Sequence, residues 1–137
     1  MPASGLADTG AILALLDRDD GWHKRSVEAF ATLRLPLATS AAVLAELFHL
    51  LHRRELAAAW GLLQSGAFTV LPIDDGDLAD LNALMSRYAD RPMDFADATL
   101  VHLGRREGLT TVFTIDHDDF ETYRIDGRQR FRVVPER

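Results

Sequence analysis

Apolar residues in this chain alternate between short runs and longer stretches in which they recur every three or four positions. The first kind predicts strands and the second helices. Gly5-Leu6-Ala7 reads as a weak first strand, followed by a helix from Thr9 to about Asp17. Trp22 to Leu33 has helical spacing, and Leu35-Pro36-Leu37-Ala38 is a short strand. The Thr39-Ser40 pair then offers a capping hydroxyl to a helix running to about Arg53. A helix over Glu55–Gln64 stops at Ser65-Gly66, and Phe68-Thr69-Val70-Leu71 has the β-branched and aromatic character of a strand. Asp77 to Tyr88 is helical, Pro92 marks a break, and the helix from Asp94 to Glu107 closes on Gly108 as its C-cap. Thr111-Val-Phe-Thr-Ile115 is the clearest strand and Phe131–Val134 the last. Strands separated by helices imply a parallel sheet covered on both faces. In such sheets ligands bind beyond the carboxyl ends of the strands, where strand order reverses. Asp8 and Asp116 each follow a strand and should open onto that same edge.

Composition narrows the class. At 137 residues, 47% of them hydrophobic and 26% charged, the chain has the makeup of one globular domain, expected to span 1–137. No apolar run approaches the ~20 residues of a membrane span, and the N-terminus has no secretory pattern. The absence of cysteine excludes disulfides and thiolate metal sites, and a cytoplasmic location is the expectation. The net charge of −6 argues against a generic nucleic-acid binder, but its distribution is uneven. Arginines 124, 128, 130, 132 and 137 crowd the C-terminus, directly after an acidic third containing Asp94, Asp97, Asp116, Asp118, Asp119 and Glu121. An acidic centre beside a basic edge suits a metal site that handles a polyanion, and equally suits an ordinary solvated surface.

The candidate chemistry rests on Asp8, Glu46, Asp97 and Asp116. Helix capping competes for Asp8, Asp94 and Asp116, because aspartate accepts an orphan backbone N–H at a helix start. Glu46 is harder to explain away. It sits among Val43, Leu44, Leu47, Phe48, Leu50 and Leu51, with no arginine within a turn before it, so its charge needs a partner. Asp94 and Asp97 project from nearly one helix face; Asp97 is the favoured ligand, and Asp94 a cap or auxiliary acid. Thr114, two residues before Asp116, should point to the same side of its strand and orient a carboxylate, and Thr9 should serve Asp8 likewise. Strand propensity and capping compete for both threonines. His49 and His52 do not make a transition-metal motif, and His117 reads as a surface residue. No glycine-rich phosphate loop or nucleophile elbow is present.

Taken in order, Leu6-Ala7-Asp8-Thr9-Gly10, the helix Thr39-Ser40-Ala-Ala-Val-Leu-Ala-Glu46, Met93-Asp94-Phe-Ala-Asp97-Ala98 and Phe113-Thr114-Ile-Asp116 resemble the motifs of PIN-domain ribonucleases. The chain's length is similar to that of the VapC-type toxins of bacterial toxin–antitoxin pairs. The resemblance implies a three-layer α/β/α sandwich around a mostly parallel sheet, with Asp8, Glu46, Asp97 and Asp116 as catalytic, metal-binding acids. It further implies an endoribonuclease dependent on Mg²⁺ or Mn²⁺, a homodimer, and silencing by a cognate antitoxin protein. The first strand departs from the family in lacking β-branched residues.

Hard oxygen ligands select Mg²⁺ or Mn²⁺ over zinc, and such ions assist phosphodiester hydrolysis. RNA is the expected substrate, with C-terminal arginines engaging flanking phosphates. Two rival readings stand beside this one. A receiver-like phospho-acceptor domain calls for a lysine near the late strands, but the sole lysine is Lys24, in an early helix. A non-catalytic PIN-like interaction module would use the same acids only to bind a basic partner.

Overall fold

The short apolar runs become strands and the longer periodic stretches become helices in a computed structural model that describes residues 2–137. The elements are β1 (Leu6–Ala7), α1 (Thr9–Leu16), α2 (His23–Thr32), β2 (Leu37–Thr39), α3 (Ala41–Leu50) and α4 (Leu56–Gln64). They continue through β3 (Phe68–Val70), α5 (Leu78–Arg87), α6 (Phe95–Glu107), β4 (Thr111–Phe113), α7 (His117–Thr122) and β5 (Arg132–Val134). The strands form a five-stranded sheet in the order β3-β2-β1-β4-β5, every pair parallel, flanked by helices. This is the expected three-layer α/β/α arrangement.

Several boundaries differ from the sequence reading for local reasons. The strand expected at Leu35 begins at Leu37, where the backbone N–H reaches Ala67 O. Thr39 consequently joins the strand and donates its hydroxyl to Ala7 O, leaving Ser40 alone to cap α3 by accepting Val43 N–H at 3.2 Å. The helix expected to reach Arg53 ends at Leu50. Leu51 and His52 are extended, and His52 starts a new turn by donating its N–H to the Glu55 carboxylate at 3.0 Å. That cap competes successfully with continuation of α3. β4 stops at Phe113, because Thr114 and Asp116 make the turn into α7. Gly108 does close α6, with the positive φ of 70° that glycine tolerates.

The core lies on both sides of the sheet, and α6 is its central helix. Ala96 to Gly104 are all buried, as expected of a helix apolar on every side. Gly104 has a packing reason. A Cβ there would stand 2.9 Å from Leu109 O and 3.3 Å from a Leu6 methyl, so only glycine lets α6 lie this close to β1.

The strand order decides where chemistry can sit. From β1 the chain steps outward to β2 and β3, then returns past β1 to β4 and β5. The reversal falls between β1 and β4, which are paired through Leu6–Val112 and Ala7–Phe113. In open α/β sheets ligands bind outside the carboxyl ends of the strands at such a reversal. Asp8 follows β1, and Thr114 to Asp116 follow β4.

Candidate metal centre and family

Buried hydroxyl groups collect at this edge of the sheet. Thr9, Thr39, Ser40, Thr99 and Thr114 are all buried, and each hydroxyl ties two segments together. Thr39 joins β2 to β1, Ser40 and Thr99 join α3 to α6 at 2.7 Å, and Thr9 donates to Val43 O at 3.3 Å. Thr9 therefore holds α1 to α3 rather than orienting Asp8 with its hydroxyl; only its backbone N–H reaches that carboxylate, at 2.8 Å. Thr114 does what its place in the sequence suggests. Its hydroxyl donates to Asp8 Oδ2 at 2.8 Å and accepts Asp116 N–H at 3.0 Å, so one side chain sets the positions of two acids.

Beside these hydroxyls stand the acids. Asp97, Asp116 and Asp119 each offer an oxygen, and these oxygens lie within 4.8 Å of one another. Asp97 arrives from the first turn of α6, while Asp116 and Asp119 come from the start of α7. Tyr123, fully buried at the far end of α7, donates its phenolic hydrogen to Asp97 Oδ2 at 2.9 Å. Asp8, buried beside β1, lies outside this trio but feels the charges of Glu46 and Asp116. Asp94 caps α6 by accepting Asp97 N–H at 2.7 Å.

The electrostatics of the cluster are unfavourable without a cation. Burial pushes the Asp8 carboxyl up to about 6, against the pull of its bonds from Thr114 and Thr9. Burial, then the charges of Asp8 and Asp94, push Asp97 up to about 8. Asp116 is raised to about 6 by desolvation and by the adjoining Asp119. Loss of water and crowding by like charges both favour the neutral acids.

Glu46 corrects one expectation. The apolar neighbours in its sequence suggested a charge embedded in a buried helix, yet its side chain is exposed. α3 buries only the stripe of Val43 and Leu47, and Leu50 is itself open to solvent. Glu46 stands at the rim, where partial desolvation and the charge of Asp94 raise its pKa. His117 is likewise not on the surface: it is buried, its ring within hydrogen-bond distance of Pro135 O at 2.8 Å and packed against Trp22.

Three residues of the site were not singled out from the sequence. Asp116, Asp119 and Tyr123 are spaced three and four apart, which places them along one helix face, so two of the three carried a legible signal. Arg91 carried none. From the loop between α5 and α6 it donates Nε and Nη2 to Asp119 Oδ1, at 3.2 and 2.8 Å. The C-terminal arginines are partly committed elsewhere. Arg124 satisfies carbonyls at the end of α7, and Arg137 pairs with Glu121 and Asp118.

These residues fit a hard divalent cation. The trio supplies carboxylate oxygen and neither sulfur nor imidazole, the donor set of Mg²⁺ and Mn²⁺. An octahedral ion of Mg²⁺ size holds its ligand oxygens roughly 3–4 Å apart, within reach of oxygens that already lie within 4.8 Å of one another. A parallel α/β/α sheet with clustered carboxylates at its switch point defines a class of acid-centred, metal-binding domain, and comparison with known proteins makes that class specific. The chain belongs to the PIN-domain family, whose profile matches residues 6–126. It is 30% identical over 135 residues to Ribonuclease VapC26 of Mycobacterium tuberculosis, covering 95% of this chain and 99% of the relative. The crystal structure of M. tuberculosis VapC20, a sarcin-ricin loop cleaving toxin, superposes with a TM-score of 0.79 at 24% identity, covering 96% of this chain and 100% of that one.

Proposed function

We propose that this protein is a divalent-metal-dependent endoribonuclease, the toxin of a toxin–antitoxin pair, acting as one PIN domain over 1–137. The observation that carries the reading is the meeting of Asp97, Asp116 and Asp119, beside Asp8, at the sheet's switch point, in a chain homologous to a VapC ribonuclease over nearly all its length. Asp8, Glu46, Asp97 and Asp116 form the candidate ligand set, and Asp119 joins it. When bound, Mg²⁺ or Mn²⁺ supplies positive charge for water activation and for stabilising the leaving oxygen of a phosphodiester.

The chain's own residues do the positioning. Thr114 fixes Asp8 and the turn that presents Asp116. Tyr123 holds one oxygen of Asp97, restricting how that carboxylate turns. Helix starts at Asp8, Asp94 and Asp116 aim backbone N–H groups into the cluster and offset part of its negative charge. No histidine is needed as a general base, and His117 is committed to the C-terminal segment.

A cognate antitoxin and a second copy of the chain are the proposed protein partners. Solvent-exposed apolar side chains at Leu50, Leu56 and Trp60, the last packed on Phe48, support a partner surface. No helix among the described residues is long and apolar enough to cross a membrane, and an RNA substrate goes with action in the cytoplasm.

The test is cleavage of RNA by purified protein. Activity should require Mg²⁺ or Mn²⁺, disappear with chelator, and be lost in Asp8→Asn, Asp97→Asn and Asp116→Asn variants that retain the wild-type circular dichroism spectrum. Full activity in all three variants would reject the site, and chelator-resistant cleavage would reject the metal.

A further inference from the structure

Arg91 is the one basic side chain that the described residues tie to the carboxylate trio, and it is tied by two hydrogen bonds to a single oxygen of Asp119. Its side chain is 46% exposed and that of Asp119 30%, so the pair forms the open rim of the cluster. The geometry sets up a competition. An ion held by the trio competes with the guanidinium for the charge of Asp119, whose Oδ1 takes both arginine bonds, and the two positive groups repel across that one carboxylate. The half-exposed guanidinium at this rim is open to a phosphodiester arriving from solvent.

We propose that Arg91 is a phosphate-receiving residue held in reserve, paired with Asp119 before the divalent ion binds and transferred to an RNA phosphate oxygen once the ion occupies the trio. This inference rests on reading the trio as the ion site. Guanidinium suits the second role, since its planar donors match two phosphate oxygens at once. The transfer couples the two ligands. Ion binding breaks the Arg91–Asp119 pair and frees the guanidinium, so RNA binds more tightly to the loaded protein, and by reciprocity RNA tightens the ion.

Two titrations on the full chain test it. Calorimetric titration of Mn²⁺ alone into wild type and Arg91→Gln should show the variant binding on the order of fivefold tighter, the worth of a partly exposed pair. Fluorescence anisotropy with a short labelled single-stranded RNA, in Ca²⁺ to hold cleavage back, should show the same variant binding on the order of tenfold more weakly. Arg91→Lys, which keeps the charge but not the fork, should fall between in both. Opposite signs for ion and RNA are a signature that simple loss of structure does not give, and a half-exposed arginine is removable without unfolding. Unchanged or weaker Mn²⁺ binding in Arg91→Gln overturns the proposal, as does wild-type RNA affinity in the loaded variant. Absence of Mn²⁺ heat in every protein, wild type included, sinks the ion site itself and this inference with it.

Discussion

Thr114 is the residue on which the most geometry depends, because its hydroxyl donates to one acid and accepts from the backbone of another. Replacing it with valine keeps the shape but leaves Asp8 Oδ2 without its donor and Asp116 N–H without its acceptor. The expected cost is roughly 1–3 kcal/mol of stability, read by urea titration, together with a 10- to 100-fold loss of cleavage, about the range found for residues that orient metal ligands. Tyr123 makes a subtler prediction. Its hydrogen bond lowers the pKa of Asp97 against the larger effects of burial and neighbouring charge. Tyr123→Phe should therefore raise that pKa further and move the pH–rate profile to the alkaline side, with little change in the plateau. Thr114 was legible from its place two residues before Asp116. Thr9 was not, since nothing in the sequence says whether a hydroxyl turns to its neighbour or to the carbonyl of Val43.

Among the elements, α6 shows most clearly how sequence and packing agree. Its helical spacing, its capping aspartate and its terminal glycine were all legible, and its nearly continuous burial follows from small residues at Ala96, Ala98 and Gly104. Gly104→Ala should be destabilising by about 1–3 kcal/mol, measured by thermal unfolding, because its Cβ would meet Leu109 O at 2.9 Å and cannot push backbone aside. The same exchange at Gly61, which has nothing within 4 Å, should instead be neutral or mildly stabilising. α7 was the element least legible in advance. It has six residues, opens with His117-Asp118-Asp119, and shows almost no apolar period. Its start was inferred from Asp116 alone, which is why Asp119 and Tyr123 were passed over. The early end of α3 is another competition invisible to periodicity, settled by the Glu55 carboxylate capping His52.

At the scale of the whole molecule, the location of the site was readable before its membership was. Strands alternating with helices implied a parallel sheet, and two acids placed directly after strands implied one edge. The order β3-β2-β1-β4-β5 makes that edge the reversal point. Which acids close on one another depends on side-chain direction, and there Asp119 is drawn in while Glu46 stays at the rim. Stability should depend on pH in a definite sense. Asp8, Asp97 and Asp116 have folded-state pKa values raised to about 6, 8 and 6, above those of the unfolded chain. The folded protein thus holds protons that the unfolded chain releases. The stabilising contribution is complete below about pH 4 and is lost as pH rises through 6 and then 8. The melting temperature of the metal-free protein should fall between pH 5 and 9 on this account, and saturating Mn²⁺ should remove most of the decline. Asp97→Asn should flatten the same profile and be more stable than metal-free wild type at pH 9.

Three of the site's acids, Asp8, Asp94 and Asp116, also begin helices, each accepting a backbone N–H from the first turn. Asparagine performs that duty about as well as aspartate. On the proposed reading, a single-base drift at Asp8 or Asp116 would silence the chemistry while sparing the architecture, leaving a well-folded decoy still able to engage the proposed partner protein. Such a lineage could lose the proposed cleavage without losing its shape.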